Sequence, residues 1–431
     1  MKKPQFLIAA PSSHSGKTTL TLGLLRLLHN RGLTVQPFKC GPDYIDTTHH
    51  TTAAHHQSIN LDTFMMSEPH VRMLYKHYSK GADVTITEGV MGLFDGAIKW
   101  EGGSAAIAML LDIPVILVVS AKGMAYSVAP LLYGLKNFNP QVRIAGVIFN
   151  NVNTESHYQF LKEACEDVGV TALGYVPVND AINIPSRHLG LSLSATMDYD
   201  LIADHISKTV DVDQLLAITA QDVPVSITII PPPGKRKKIA VARDEAFNFI
   251  YAENIRRLQQ LGTVTFFSPL HDTELPDADL LYLAGGYPEL HLAALQNNSG
   301  MRTAIRAYCE WGGQVMAECG GMMYLGKGIT DQAGNRHEMC GFLDIETTMQ
   351  HARLTLGYRQ VELGDEVLRG HEFHYSHATE NSPVNTIAEV LNARGMKVNT
   401  PIYKQQNVIA SYIHFYWAED TALFLSLWNN S

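Results

Sequence analysis

The segment Phe6-Leu7-Ile8-Ala9-Ala10-Pro11-Ser12-Ser13-His14-Ser15-Gly16-Lys17-Thr18-Thr19 runs from apolar residues through a serine-rich turn into Gly-Lys-Thr-Thr. The apolar start predicts a strand, and the apolar-periodic stretch Lys17–Asn30 predicts a helix after the turn. At such a junction, N–H groups of the loop and helix N-terminus can cradle phosphate oxygens. Lys17 would neutralise the outer phosphates, and the Thr18 hydroxyl would bind Mg²⁺. Pro11 stands where the usual phosphate-loop pattern has its first Gly. The strand–turn–helix context therefore carries the reading, against the alternative of an ordinary turn. Ser15, Gly16, Lys17, Thr18 and Thr19 are the nucleotide-binding candidates.

Outward from this loop, apolar runs recur at 84–87, 114–119 and 144–149, separated by helical stretches. That alternation predicts an α/β fold with a parallel sheet, whose ligands sit at the carboxyl ends of the strands. Two polar segments follow predicted strands: Lys39-Cys40-Gly41-Pro42-Asp43-Tyr44-Ile45-Asp46 and Thr87-Glu88-Gly89-Val90-Met91-Gly92-Leu93-Phe94-Asp95-Gly96. Asp43, Glu88 and Asp95 would converge on phosphates held by Lys17. Lys39 counts with the nucleotide-binding candidates, and Thr18, Asp43 and Glu88 form a hard-oxygen set suited to Mg²⁺. The alternative makes these acids turn-formers beside glycines. His49, His50, His55 and His56 read as a polar loop, not a transition-metal site, because Thr51–Ala54 supplies no third ligand type.

The 431 residues carry 33 Lys+Arg against 42 Asp+Glu, a formal charge of -9 that excludes a protein built to neutralise nucleic-acid phosphates. The basic run Lys235–Lys238 follows three prolines and reads as a solvated linker. Composition changes around it, and the α/β rhythm restarts with a strand at 238–242, a helix at 249–261 and strands at 264–267 and 280–283. The expected domains are 1–220 and 238–431, joined by a linker at 221–237. No apolar run approaches the ~20 residues that span a bilayer, so a soluble, cytoplasmic protein with no membrane partner is expected. Oligomeric state is left open, a homodimer included.

Five cysteines are few, odd in number and widely spaced, which argues against a disulfide framework or zinc finger. One has distinctive surroundings. Gln314–Glu318 reads as a strand leading into Cys319-Gly320-Gly321 and the start of a helix at Met322. A nucleophile on such a turn is presented to substrate, with following N–H groups aimed at an oxyanion and a lowered thiol pKa. Cys319 is thus the candidate nucleophile, His414 its candidate base, and Gly320 and Gly286 the candidate oxyanion donors. An ATP site and a thiol amidase in one chain imply a division of labour. ATP activates a carboxylate, and L-glutamine hydrolysis supplies the ammonia that attacks it.

These motifs resemble those of the cobyrinic acid a,c-diamide synthases of the corrin pathway. The resemblance also rests on Asn60-Leu61-Asp62, Pro185-Ser186-Arg187-His188-Leu189-Gly190, Gly285-Gly286-Tyr287-Pro288-Glu289 and Gly370-His371-Glu372-Phe373-His374-Tyr375-Ser376, and it runs over nearly the whole chain. It implies a P-loop, dethiobiotin-synthetase-like ATP domain fused to a class I glutamine amidotransferase-like α/β domain. It also implies amidation of the c and then the a acetate of cobyrinic acid, and makes Pro11 normal for the family. Lys17, Thr18 and Glu88 would bind ATP and Mg²⁺. Asp43 and Asp95 would act at the phosphate or the acceptor carboxylate. Cys319 matches the glutaminase nucleophile and His414 its base.

The wider amidotransferase class places an acid two residues after this His, where the chain has Tyr416. The corrin branch similarly lacks that acid, which leaves His414 without an obvious orienter. The same chemistry on hydrogenobyrinic acid or nickel sirohydrochlorin fits the motifs equally, and cobyric acid synthase is a more distant relative. A partitioning-type P-loop switch ATPase would account for the first domain but leave Cys319 and His414 unused.

Overall fold

The computed structural model describes residues 2–182, 197–222 and 237–428. The segment Pro185–Gly190 and the proline-rich stretch before Lys237 lie outside the described residues. The chain divides into two compact units, Met1–Ile229 and Ile230–Ser431. No helix among the described residues is long and apolar enough to cross a membrane.

The N-terminal unit is built on strands β1 (Lys2–Ala9), β2 (Val35–Cys40), β3 (Ile59–Leu61), β4 (Val84–Glu88), β5 (Val115–Ser120), β6 (Ile144–Asn150), β7 (Thr171–Val176) and β8 (Ala220–Asp222). Their order is β3-β2-β4-β1-β5-β6-β7, all parallel, with β8 antiparallel against the start of β1. Near-continuous apolar strands such as Val115–Ser120 are buried because helices cover both faces of a parallel sheet. Helix α1 (Lys17–Asn30) buries Leu20, Leu24 and Leu28. At Gly23 a Cβ would lie 2.1 Å from Ile206 Cδ1, so the bare backbone admits the helix Tyr199–Ser207 at close range. Helix α2 (Ile45–Ala54) carries His49 and His50, with His55 as its left-handed C-cap. The expected polar loop there is a helix, because Ile45, Ala53 and Ala54 are buried.

The C-terminal unit begins with β9 (Lys237–Ala242), β10 (Gly262–Phe267), β11 (Leu280–Leu283) and β12 (Gln314–Glu318). With strands Val408–Ser411 and Ile402–Gln405 they form a sheet ordered β10-β9-β11-β12 and onward through those two, antiparallel only at the last pair. A second, antiparallel sheet contains Thr355–Leu363, Glu366–His374 and Ile413–Tyr416. The helix expected from Phe249 begins at Ala252. Phe249 is instead bound in a bridge to Gly285, whose carbonyl accepts the N–H groups of both Asn248 and Phe249.

Candidate active sites

Strands β2, β4 and β1 are neighbours, with Lys39 and Ile8 each in register with Glu88, so three loops emerge side by side at their carboxyl ends. The phosphate-loop segment turns at Gly16, whose φ of 100° is the left-handed region that glycine favours. A Cβ at Gly16 would lie 2.1 Å from Asn150 Nδ2, and that amide donates to the Ser15 carbonyl at 3.0 Å. Ser15 Oγ in turn donates to the Ser12 carbonyl at 2.9 Å, and Thr19 lies half-buried in the first turn of α1. Lys17 Nζ donates to the Met91 carbonyl at 2.5 Å and the Ser12 carbonyl at 3.4 Å, holding the ammonium across the mouth of the loop. Burial lowers the Lys17 pKa, while the Glu88 carboxylate opposes that shift.

Glu88 is fully buried and meets three donors. Thr18 Oγ1 donates at 2.7 Å, Lys39 Nζ at 2.9 Å, and His50 Nε2 lies 2.7 Å away. Burial alone would raise the carboxyl pKa, but Lys39 and then His50 and Thr18 hold it well below the ordinary carboxylate range. Lys39 Nζ also donates to Asp46 at 2.5 Å. Burial opposes the Lys39 charge, and Asp46 and Glu88 outweigh it, so its pKa is raised.

The other acids lie differently. Asp43 Oδ1 accepts the Asp46 N–H at 2.8 Å at the start of α2, and burial followed by the Asp46 charge pushes it up to about 6. Asp95 is exposed and accepts the Gly92 N–H at 3.0 Å, while its charge reaches Lys17. Thr18, Lys39 and Glu88 are thus brought into direct contact, and Asp43 and Asp95 each close a turn beside them. Asn60 Nδ2 donates to the carbonyls of Gly41 and Asp43, both at 2.9 Å, and fixes the loop after β2. His50 and Asn150 join this site without having been singled out for it. Asn150 ends β6, a place at a strand's carboxyl end that could have signalled it, whereas His50 lies within α2 and carries no such signal.

In the C-terminal unit, Cys319 sits between β12 and the short helix Gly320–Leu325 with φ 45° and ψ -103°, a strained conformation for a non-glycine residue. Its N–H donates to the Ser411 carbonyl at 2.7 Å, and its Sγ lies 3.9 Å from the Phe373 carbonyl. A Cβ on Gly320 would lie 3.1 Å from the Gly286 nitrogen, and one on Gly285 would lie 2.2 Å from His414 Cε1. The Gly285-Gly286 turn therefore touches both the Cys319–Gly320 turn and the His414 ring. His414 is fully buried on the strand Ile413–Tyr416, directly opposite His371.

The expected low thiol pKa is not what this environment gives. Burial, then the Glu289 carboxylate, push the Cys319 thiol well above its usual range, with the Gly320 N–H pulling the other way. The reason is a closed site with three acids nearby, Glu289, Glu318 and Glu372, against one short helix end. Burial raises Cys40, Cys165, Cys309 and Cys340 as well, so backbone shape and not acidity distinguishes Cys319. Burial and then the His374 imidazole lower His414 to about 3, with Glu372 opposing, so its ring is neutral. Glu372 itself accepts from Arg359 Nε at 2.6 Å, His374 Nε2 at 2.7 Å and Thr400 Oγ1 at 2.8 Å.

Two family models match in succession. A "CobQ/CobB/MinD/ParA nucleotide binding domain" covers residues 6–191, and a "CobB/CobQ-like glutamine amidotransferase domain" covers 238–422. The chain is 40% identical to a cobyrinate a,c-diamide synthase of Salmonella typhimurium, over 96% of this chain and 95% of that protein. It is 41% identical to a hydrogenobyrinate a,c-diamide synthase of Brucella abortus, over 95% and 97%. A cobyrinate a,c-diamide synthase of Listeria monocytogenes matches at 39% over 96% and 97%. The chain belongs to the a,c-diamide synthase family. The buried Thr18–Glu88–Lys39 contact lies within the nucleotide-binding domain of this family member, and the Cys319 turn within its amidotransferase domain. A partitioning-type switch leaves that second domain without a role.

Proposed function

We propose that the chain is an ATP- and glutamine-dependent ligase that converts the c and then the a acetate of cobyrinic acid to amides. One observation carries the reading: a single chain holds a lysine-bearing phosphate loop against a buried acid, and a thiol on a strained strand-to-helix turn. The working domain bounds are 1–220 for the ATP-dependent part, 221–237 for the linker and 238–431 for the glutaminase part.

In the glutaminase part, His414 takes the Cys319 proton and the sulfur attacks the carboxamide carbon of glutamine. The oxyanion lies against the N–H groups of Gly286 and Gly320. His414 returns its proton to the leaving nitrogen as the adduct collapses and ammonia departs, and water then cleaves the thioester to glutamate and restores the Cys319 thiol. In the N-terminal part, Ser15, Gly16, Lys17, Thr18, Thr19 and Lys39 hold ATP. An acetate oxygen attacks the γ-phosphorus, ADP leaves, and ammonia then displaces phosphate from the acyl carbon. Thr18 Oγ1 and Glu88 Oε1, 2.7 Å apart, together with the Asp43 carboxylate form the hard-oxygen set that would hold Mg²⁺, which keeps several waters and needs few protein ligands. When bound, that ion neutralises phosphate charge. Asp43 and Asp95 orient the acceptor carboxylate or phosphate from the two flanking turns.

The test incubates the protein with acceptor, ATP, Mg²⁺ and glutamine and follows charge loss by anion-exchange chromatography with mass spectrometry. Two sequential amidations of cobyrinic acid that stop at the diamide are expected. Because similar relatives act by name on cobyrinate and on hydrogenobyrinate, hydrogenobyrinic acid and nickel sirohydrochlorin form parallel arms. Turnover confined to one of those keeps the chemistry and replaces the acceptor. Cys319→Ala is expected to lose glutamine-dependent ammonia release by about 10⁴-fold or more and to retain amidation driven by ammonium salt. Loss of both in a folded variant sinks the separate-site reading.

A further inference from the structure

Tyr416 occupies the position from which an acid would orient the base, yet the His414 ring is not left to its own rotamers. His371, opposite it in the antiparallel ladder, presents a parallel ring with centroids 4.9 Å apart and planes at 17°. That separation is within the range of an offset stack. His371 is held in turn, because its Nδ1 lies 3.0 Å from the Tyr251 hydroxyl. Tyr251 packs edge-on against Tyr416, with centroids 5.4 Å apart at 76°. A chain of contacts thus runs from the residue replacing the acid, through Tyr251 and His371, to the base. All four rings are almost fully buried, so water does not compete for these contacts.

We propose that His371 is a positioning residue for His414, fixing the plane of its imidazole by offset stacking in place of a hydrogen-bonding acid. The proposal rests on the reading of Cys319 and His414 as the glutaminase pair. A carboxylate beside a histidine both orients it and favours its protonated form. A stacked neutral ring orients it without that second effect. Burial, then the His414 ring and Arg359, keep His371 well below the ordinary imidazole range, so the stack is between neutral rings and free of cation–cation repulsion. Gly285 completes the arrangement, since any Cβ there would collide with the His414 ring edge.

The experiment compares His371→Ala, His371→Phe and Tyr251→Phe in the full-length protein. Glutamine hydrolysis, ammonium-driven amidation and thermal melting are measured on each preparation. His371→Ala is expected to lower kcat for glutamine hydrolysis by about 10- to 100-fold, the scale of a misplaced reacting group, with KM for glutamine within about twofold of the parent. His371→Phe keeps a flat ring over His414 and is expected to recover most of that loss. Tyr251→Phe removes only the hydroxyl that fixes His371, keeps the fold testable if the alanine variant melts early, and is expected to give a several-fold loss in kcat alone. Ammonium-driven amidation stays at the parental rate in all three. Parental hydrolysis by His371→Ala, a phenylalanine variant no better than the alanine one, or a loss confined to KM each overturns the positioning role. Cys319→Ala is run beside them. If it still releases ammonia from glutamine, the glutaminase reading itself fails, whereas an inactive Cys319→Ala beside unaffected His371 variants condemns the inference alone.

Discussion

The two buried sites solve opposite electrostatic problems. Around Glu88, charge is admitted and matched: Lys39 lies between Glu88 and Asp46, and Thr18 and His50 complete the carboxylate's partners. Around Cys319, charge is suppressed at the reacting groups: burial raises the thiol, lowers His414 to about 3 and pushes Glu318 up to about 8 and Glu289 up to about 7, while the nearby Glu372 is kept charged, against its burial, by its contacts with His374 and Arg359. The first arrangement suits a site that must receive a polyanion and keep a fixed field for it. The second suits the proposed glutaminase chemistry, in which a proton leaves the Cys319 sulfur for the His414 ring when substrate is bound. The same degree of burial therefore serves preorganised charge in one case and stored neutrality in the other.

The largest effect should come from unbalancing the charged site. Lys39→Met leaves Glu88 and Asp46 buried together without their shared cation. Breaking a buried pair this way costs about 3–5 kcal/mol. Urea denaturation should show the N-terminal unit losing stability on that scale while ammonia release from glutamine persists. A loss below about 1 kcal/mol would mean that water or rearrangement already compensates the acids, contrary to the matched-charge account.

The neutral site should respond to pH instead. Glu318 accepts from Tyr282 Oη at 2.8 Å and from the Phe415 N–H at 3.1 Å, which ties the strand of Cys319 to that of His414. Burial raises its carboxyl from 4.5 to about 8. Between those values the folded state binds the extra proton, so this group's contribution to stability falls as pH rises through the window and is relieved as pH falls. Glu318→Gln should flatten that slope, leaving a stability difference from the parent that changes sign or shrinks steadily from pH 8.5 to 5. An identical slope in both proteins would show that Glu318 is not raised. A smaller effect concerns Cys319 itself: without glutamine, its alkylation by iodoacetamide should be at least about tenfold slower than that of a free thiol and still climbing at pH 9. A plateau near pH 7 would place the thiolate in the resting site and end the contrast.

What the sequence revealed follows the same division. The strand–loop–helix around Gly16, the strand ends at Lys39 and Glu88 and the elbow at Cys319 are local features, and local residue order specifies them. The partners of Glu88 are less visible, because His50 reaches it from a helix whose residues look like a polar loop until Ile45, Ala53 and Ala54 are seen to be buried. Asn150 buttresses the phosphate loop from 135 residues away in the sequence, a relation no periodicity encodes. The antiparallel strands that place His371 against His414 escaped the α/β reading for the same reason, since their pairing is fixed by long-range register. The thiol's acidity departs from the expectation because a helix end is visible in sequence and burial is not. Glu318 did leave a signal, as a lone acid ending the apolar run Val315-Met316-Ala317.

The smallest effect calibrates the others. Thr154 caps the helix Glu155–Val168, its hydroxyl accepting the His157 N–H at 3.1 Å at an exposed position. Removing it exposes a donor that water can satisfy, so Thr154→Ala should cost about 1 kcal/mol and leave both ammonia release and amidation at parental rates. Lys39→Met also deletes one residue's polar group, yet the acids it abandons are buried, Glu88 fully. The ratio of the two losses under the same denaturant measures what burial adds to a single broken contact. If Thr154→Ala cost as much as Lys39→Met, solvent access would not be what separates the two, and the contrast drawn between matched and suppressed charge would lose its physical basis.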